Sequence, residues 1–258
     1  MACLGLLLLC LAPLVAELGY TAYRGIAGLS LAFLTHPPTP PEVPGGGIST
    51  AIIGSAEVIG LALVVAIPVS LLAALYLREH PGRASTVVGF GADVLTGVPS
   101  IVVGIFAYAV IVRTTHHFSD FAASFAIAVL MTPIMIRAND AALRSVPTDL
   151  WEAGIALGAR RSSVARRVVL RGALPGLVVG NLLAIARGIG ETAPLLFTVA
   201  APTAVMTLLI YADSTQAFAS AQQTAWSTAF VLLAFVVMLS IAARVIAAVL
   251  SRNARPAR

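Results

Sequence analysis

An all-α, polytopic membrane protein with six transmembrane helices is the fold class this sequence predicts, and three observations predict it. The 258-residue chain is 59% hydrophobic and only 10% charged, with a mean hydropathy of +0.97, whereas soluble domains carry about 25% charged residues. Its apolar residues fall into six runs long enough to cross a hydrocarbon core, which takes about 20 residues as a helix. Its 16 basic residues are all arginine and gather in alternate segments between the runs. Helix is the expected element because lipid offers an open backbone no hydrogen-bond partner. A β-barrel would read as alternating segments of about ten residues, and the Ala/Leu/Val blocks here do not alternate.

The runs lie at 2–23, 51–77, 87–112, 119–136, 174–197 and 225–250. The first reads as a retained helix rather than a signal peptide. No Arg or Lys precedes it, no clean A-x-A site follows it, and its apolar character continues to Leu34. The missing basic segment leaves room for a native start upstream of Met1. Leu9 stands before Cys10 where a lipoprotein site needs a small residue, so Cys3 and Cys10 are expected to pack as small apolar groups, with neither a metal nor a disulfide framework. From Thr35 to Gly47 Pro and Gly dominate, which excludes a helix and predicts an outer linker. Pro68 and Pro99 are expected kinks in the second and third runs. Glu57 is expected to face the bundle interior and Asp93 the inner side. His116 and His117 flank a turn after the third run and read as solvated. No internal repeat is visible.

Placing the N-terminus inside puts Arg78 and Arg83 in the first inner segment and Arg137, Arg144, Arg160, Arg161, Arg166, Arg167 and Arg171 in the second. Arg244, Arg252, Arg255 and Arg258 then form the third, and the outer loops keep only Arg24 and Arg113. This bias sets orientation, so both termini are expected in the cytoplasm and the net charge of +5 reads as a topology signal. The membrane context argues against a nucleic-acid role for the basic loop.

Within that loop a short helix is expected. Asp149 is placed as its N-cap, with Glu152 completing a capping box. Leu150, Ala153, Ile155, Ala156 and Leu157 supply an apolar face, Gly158 an αL stop, and Arg160 and Arg161 the cations that favour a helix C-terminus. Such a segment is either an interfacial helix or a docking helix for a partner.

The segment Glu152-Ala153-Gly154-Ile155-Ala156-Leu157-Gly158 resembles the EAA loop of ABC importer permeases, which fits into a cleft on the ATPase subunit. Four further words extend the resemblance over most of the chain: Gly47–Ser55, Gly97-Val98-Pro99-Ser100 through Gly104, Pro133–Arg137, and Arg187-Gly188-Ile189-Gly190-Glu191-Thr192-Ala193-Pro194 through Thr198. The last narrows it to phosphate ABC transporter permeases of the PstA type. The match fades before Ile48 and between Ala200 and Gln222. Gly154 at the third EAA position departs from the pattern and predicts a slightly frayed helix. Val168-Val169-Leu170-Arg171 replaces the Ile-x-Leu-Pro ending, and the last outer loop is short.

The resemblance implies a type I ABC importer permease fold in a bacterial plasma membrane, with three divisions. Residues 1–48 would hold the first helix and outer loop, 49–250 the permease core, and 251–258 a basic cytoplasmic tail. It implies an ATP-driven phosphate importer in which this chain forms half of the pathway. The partners would be a second permease subunit (PstC-like), two ATPase subunits (PstB-like) and an external phosphate-binding protein (PstS-like). The chain itself would bind no cofactor or metal. With no Lys it holds no G-x-x-x-x-G-K-[ST] phosphate loop, so ATP would be used by the partner. Asp149, Glu152, Ala153, Gly154, Leu157, Gly158 and Arg160 would form the docking loop.

Arg187 and Glu191 stand four apart in an apolar run, a spacing that shares one helical face. Ionisable groups at membrane depth cost about 2.5–3.5 kcal/mol on insertion scales, so they face a partner or a water-filled path. A structural ion pair satisfies that cost. So does a pathway in which Arg187 presents its guanidinium fork to phosphate, Glu191 steadies it, Thr192 adds a hydroxyl, and Gly188 and Gly190 admit a close neighbour. Arg137 is a second pathway candidate, with an inner anchor as its plainer role. The competing functions are a permease for sulfate- or molybdate-class oxyanions, an autonomous carrier or channel, and a structural scaffold.

Overall fold

The computed structural model describes residues 2–40, 43, 45–80, 82–201 and 204–253, and these form helices and turns only. Ten helices follow in order. They are α1 (Ala2–Ile26), α2 (Leu31–Thr35), α3 (Ser49–Glu79), α4 (Arg83–Thr96), α5 (Ser100–Thr115, with a π turn at Tyr108–Val112) and α6 (Asp120–Arg144). Then come α7 (Thr148–Ala156), α8 (Arg161–Ile189, with a π turn at Ala165–Val169), α9 (Met206–Ser214) and α10 (Ala219–Asn253). Five of these are long and apolar enough to cross a membrane, and six spans result if α4 and α5 count together.

Three expected runs are redrawn. The third is not one rod, because α4 and α5 meet at a 100° bend. Gly97 caps α4 by donating to the Val94 carbonyl, and Pro99, which has no N–H to continue the ladder, stands before α5. Pro68, by contrast, sits inside an unbroken α3. The fifth span begins at Arg161 and stops at Ile189, well before Phe197. Gly190 caps it and Pro194 disfavours continuation, leaving a turn and a 3-10 segment at Leu195–Phe197. The fourth run continues to Arg144, two turns beyond Arg137. Its start is set by Ser119, whose side chain accepts from the Ala122 N–H at 3.2 Å.

The chain divides into two compact units. One comprises Met1–Ala56 with Val199–Phe235. Its core gathers Phe33, Ile48, Ala51, Met206 and Leu209. The Gln223 amide donates to the Arg24 carbonyl at 2.8 Å and the Ser227 hydroxyl to the Gly25 carbonyl at 3.0 Å, tying the end of α1 to α10. The Arg24 guanidinium lies 5.8 Å over the Trp226 ring, which meets Tyr20 edge-on. The described side chains in the rest of α1 are unburied, and Cys10 is exposed there rather than packed; a helix docked only at its end leaves its body to lipid. The Cys3 side chain lies outside the described residues. Beyond Thr35, which ends α2, the Pro/Gly segment holds no helix among its described residues, yet it is no slack linker. Ile48 N–H donates to Phe33 O at 2.8 Å and Ser49 N–H to His36 O at 3.0 Å, folding it back on α2. Pro41, Glu42 and Pro44 lie outside the described residues, as do Arg255 and Arg258 and the side chain of Arg252 in the expected tail.

The other unit comprises Glu57–Thr198 with Val236–Arg258 and is organised by α6. On α8, Gly176, Gly180 and Gly188 face α6 closely: a Cβ on them would lie 2.9 Å from Ala142 Cβ, 2.7 Å from Ala138 Cβ and 2.5 Å from Met131 Sδ. Membrane helices associate through such small-residue faces because lipid removes the hydrophobic drive between them. At one end Leu143, Val146, Val169 and Ala173 form a core with Ala74 of α3. Deeper, the buried Asn139 amide donates to Ser70 Oγ at 3.1 Å, and Asn181 donates to Asn139 Oδ1 at 2.8 Å, joining α3, α6 and α8 by polar contacts. Glu57 is exposed rather than interior, on the opposite side of α3 from its buried alanines. His116 takes the left-handed φ of 59° that turns α5 toward α6.

Candidate functional site

The loop between α6 and α8 presents α7 on the surface. Its N-cap is Pro147, two residues before Asp149, so the expected Asp149–Glu152 capping box does not form. Proline's fixed φ starts the helix early, and Asp149 instead adds its charge to the first turn, where the helix dipole favours it. Gly158 does terminate the helix: its φ is +79°, its N–H donates to Ile155 O at 2.9 Å, and Ala159 N–H donates to Gly154 O at 3.2 Å. That pair of bonds is a Schellman motif.

Gly154 does not fray the helix. A Cβ there would meet Val164 Cγ2 at 2.9 Å, so glycine lets α7 lie directly on the start of α8. Trp151 packs inward on the Leu143–Val146 core. Leu150, Ile155 and Leu157 are exposed at the edges and end of α7, the last 88% exposed, and the side away from Trp151 carries exposed Glu152, Ala153 and Ala156. The nine-residue helix thus leaves three large apolar side chains, Leu150, Ile155 and Leu157, at the surface beside Arg160.

The second cluster lies where α8 ends. Glu191 is past the last helical residue, so the pair does not share a helical face; Arg187 Nε nevertheless lies 3.7 Å from Glu191 Oε1. The Arg187 side chain is 66% exposed and that of Glu191 17%, so the carboxylate is seated and the guanidinium is free to reach outward. The segment beyond is rigid. The Thr192 carbonyl accepts from Leu195 N–H at 3.1 Å, the buried Thr198 hydroxyl donates to Pro194 O at 3.0 Å, and Ser119 N–H donates to Thr198 O at 3.1 Å. A Cβ on Gly104 would lie 2.6 Å from Pro194 Cα, so two of the sequence words are packed together. Gly188 admits Met131 as described, whereas Gly190 serves as a cap with no close neighbour element.

Arg137 stands apart from this pair. The α6–α8 register puts Met131 level with Gly188, which leaves Arg137 about 8 Å further along the axis at 1.5 Å per residue. It is not a simple end-of-helix anchor. Its Nε donates to Asp93 Oδ1 at 2.6 Å, its Nη2 to Asp93 Oδ2 and, at 2.6 Å, to the Gly89 carbonyl. A bidentate fork thus clasps α4 to α6. Two turns on, Arg144 Nε donates to both Asp140 oxygens at 2.9 and 3.0 Å. Asp93 carried no role in the sequence and Asp140 went unremarked, although the Asp140–Arg144 spacing is a legible i, i+4 pair. The Ser70–Asn139–Asn181 contacts had no one-dimensional signal, because they join three helices.

A family model described as "Binding-protein-dependent transport system inner membrane component" matches residues 66–255. A Yersinia pestis protein named "Phosphate transport system permease protein PstA" is 39% identical over 239 residues, covering 88% of this chain and 81% of that one. Mycobacterium tuberculosis "Phosphate transport system permease protein PstA 1" is 37% identical over 228 residues, covering 83% and 74%. Among solved structures, an inward-facing conformation of the MetNI methionine ABC transporter aligns with a TM-score of 0.64 at 20% identity, covering 79% of this chain and 94% of that one. An amino acid ABC transporter aligns with a TM-score of 0.57 at 16% identity.

Proposed function

From the premise that this chain belongs to the family of binding-protein-dependent transport system inner membrane components, we propose that it is the PstA-type transmembrane permease subunit of an ATP-driven phosphate importer, forming half of the translocation pathway. The observation that carries this is the identity of 39% and 37% to proteins named as phosphate permeases, over 88% and 83% of the chain. Both termini and the α6–α8 loop lie in the cytoplasm. A PstC-like permease supplies the other half of the pathway, two PstB-like ATPases hydrolyse ATP, and a PstS-like protein delivers phosphate from outside.

The α7 helix is the coupling element. Its exposed Leu150, Ile155 and Leu157, with Asp149, Glu152, Ala153 and Arg160 around them and Gly154 and Gly158 fixing the pose of the helix, insert into the ATPase. ATPase closure pulls this helix and its counterpart together, and the rigid hold of Trp151 and Val164 passes that motion to α6 and α8. Arg187, Glu191 and Thr192 line the path near the end of α8. Glu191 holds Arg187 at a distance that leaves guanidinium donors for a phosphate oxygen. Arg137 is the second basic station, kept in place by Asp93.

The test is uptake of radiolabelled phosphate by cells in which this chain is the sole permease of its type, challenged with sulfate, molybdate and arsenate. Competition by arsenate alone is expected. Inhibition by sulfate or molybdate at equal concentration would assign the other oxyanion class, and uptake that persists without an ATPase subunit would assign an autonomous carrier.

A further inference from the structure

A cavity of about 710 Å³ opens where α3 ends, α4 begins, α6 passes into α7, and α8 starts. Pockets of about 300–1,000 Å³ are the size that holds small ligands. Three arginines line it from three different helices: Arg78 from α3, Arg144 from α6 and Arg161 from the first residue of α8. They are in different states of satisfaction. Arg144 is already paired with Asp140. Arg78 Nη2 donates to the Val146 carbonyl at 3.2 Å, whereas its Nη1 is buried and has no acceptor among the described residues. Arg161 forms no ion pair there, and Glu79 on the cavity wall pairs with none of the three.

Like charges lining one cavity repel one another. An oxyanion held there offsets that repulsion and accepts from the guanidinium donors that face it. A carboxylate has oxygens for one fork; a tetrahedral phosphoryl group presents oxygens in several directions, as donors from three helices require. Thr148, at the first residue of α7, and Trp151 complete the wall on the side of the docking helix.

We propose that this cavity binds a phosphoryl oxyanion, either free inorganic phosphate or the headgroup of an anionic phospholipid, at a site separate from the transport path, and that its occupancy ties α7 to the ends of α3, α6 and α8. The ligand thereby stiffens the lever through which the ATPase acts. The proposal takes from the preceding section only that this end of the bundle faces the cytoplasm.

The test uses the full chain with its copurifying subunits. In one arm, nanodiscs of phosphatidylcholine alone are titrated with radiolabelled inorganic phosphate. In the other, the complex is reconstituted with phosphatidylglycerol, stripped with detergent, and the lipid retained is counted by native mass spectrometry. Each arm compares the parent with Arg161→Gln and Thr148→Val, neither of which contributes to the buried core, and with Arg187→Gln in the transport path. Arg161→Gln is expected to weaken one of the two ligands by about tenfold or more, the worth of one charge-assisted contact, with Arg161→Lys recovering part of it and Arg187→Gln leaving lipid retention in the second arm unchanged. Loss in the first arm assigns free phosphate; loss in the second assigns the lipid headgroup. If Arg161→Gln does not assemble, Thr148→Val decides, with a smaller loss expected. Variants indistinguishable from the parent in both arms overturn the proposal and leave the arginines to an acidic side chain of the ATPase. Because the readout is binding, failure of the phosphate-transport reading would show separately, as uptake that ignores Arg187.

Discussion

Replacing Gly158 by valine removes the one backbone conformation on which the end of α7 depends. The φ of +79° lies where a β-branched residue is a steric outlier, at a cost of about 1–2 kcal/mol for an L side chain. Escaping the strain unmakes the two capping bonds at 2.9 and 3.2 Å, each worth about 1 kcal/mol net. Either route therefore costs about 1–2 kcal/mol. The helix has nine residues, below the roughly 12–15 at which an isolated helix holds itself in water, so no reserve absorbs the loss. The intact docking helix should become about 5–30-fold rarer, and phosphate uptake should fall by a comparable factor. Nothing lies within 4 Å of a Cβ at this position, so steric clash plays no part and the membrane bundle is untouched. The assay is uptake by cells expressing the variant at the parental level, with recovery of the ATPase after affinity purification. Gly158→Asn, which tolerates the left-handed region, should retain most activity, and Gly158→Ala should fall between. Uptake by Gly158→Val within twofold of the parent would refute the docking role of α7.

Arg187→Gln should assemble normally, since its partner sits 3.7 Å away and its own side chain is 66% exposed, a pair worth no more than about 1 kcal/mol, while uptake is lost. Transport restored by adding Glu191→Gln would show a structural pair instead. Gly180→Leu should abolish folding, because even a Cβ would stand 2.7 Å from Ala138 Cβ across the α6–α8 contact; a normally expressed, detergent-stable variant would show that the two helices do not pack this way. Single cysteines at Ser163 and Thr39, with Cys3 and Cys10 replaced, should label from opposite faces. Labelling of the Ser163 site by an impermeant reagent in intact cells would reverse the proposed orientation.

The existence and type of the spans were legible in one dimension because burial in lipid acts residue by residue: a run of apolar side chains needs no knowledge of its neighbours to be a helix. The αL stop at Gly158 was legible for the same reason, since a local backbone demand leaves a local signature. Tertiary structure decided whatever depended on two segments at once. Arg137 reads as an anchor until Asp93, 44 positions earlier, is found in its fork. Gly154 reads as a weak point until Val164 is found where its Cβ would go. Glu191 shares a helical face with Arg187 by spacing alone, but Gly190 and Pro194 end the helix and let a turn, not a helical face, keep the two charges near each other. The arginines Arg78, Arg144 and Arg161 look in sequence like an orientation signal. Only folding brings three helix ends to one cavity, where the same charges acquire a direction and a common centre.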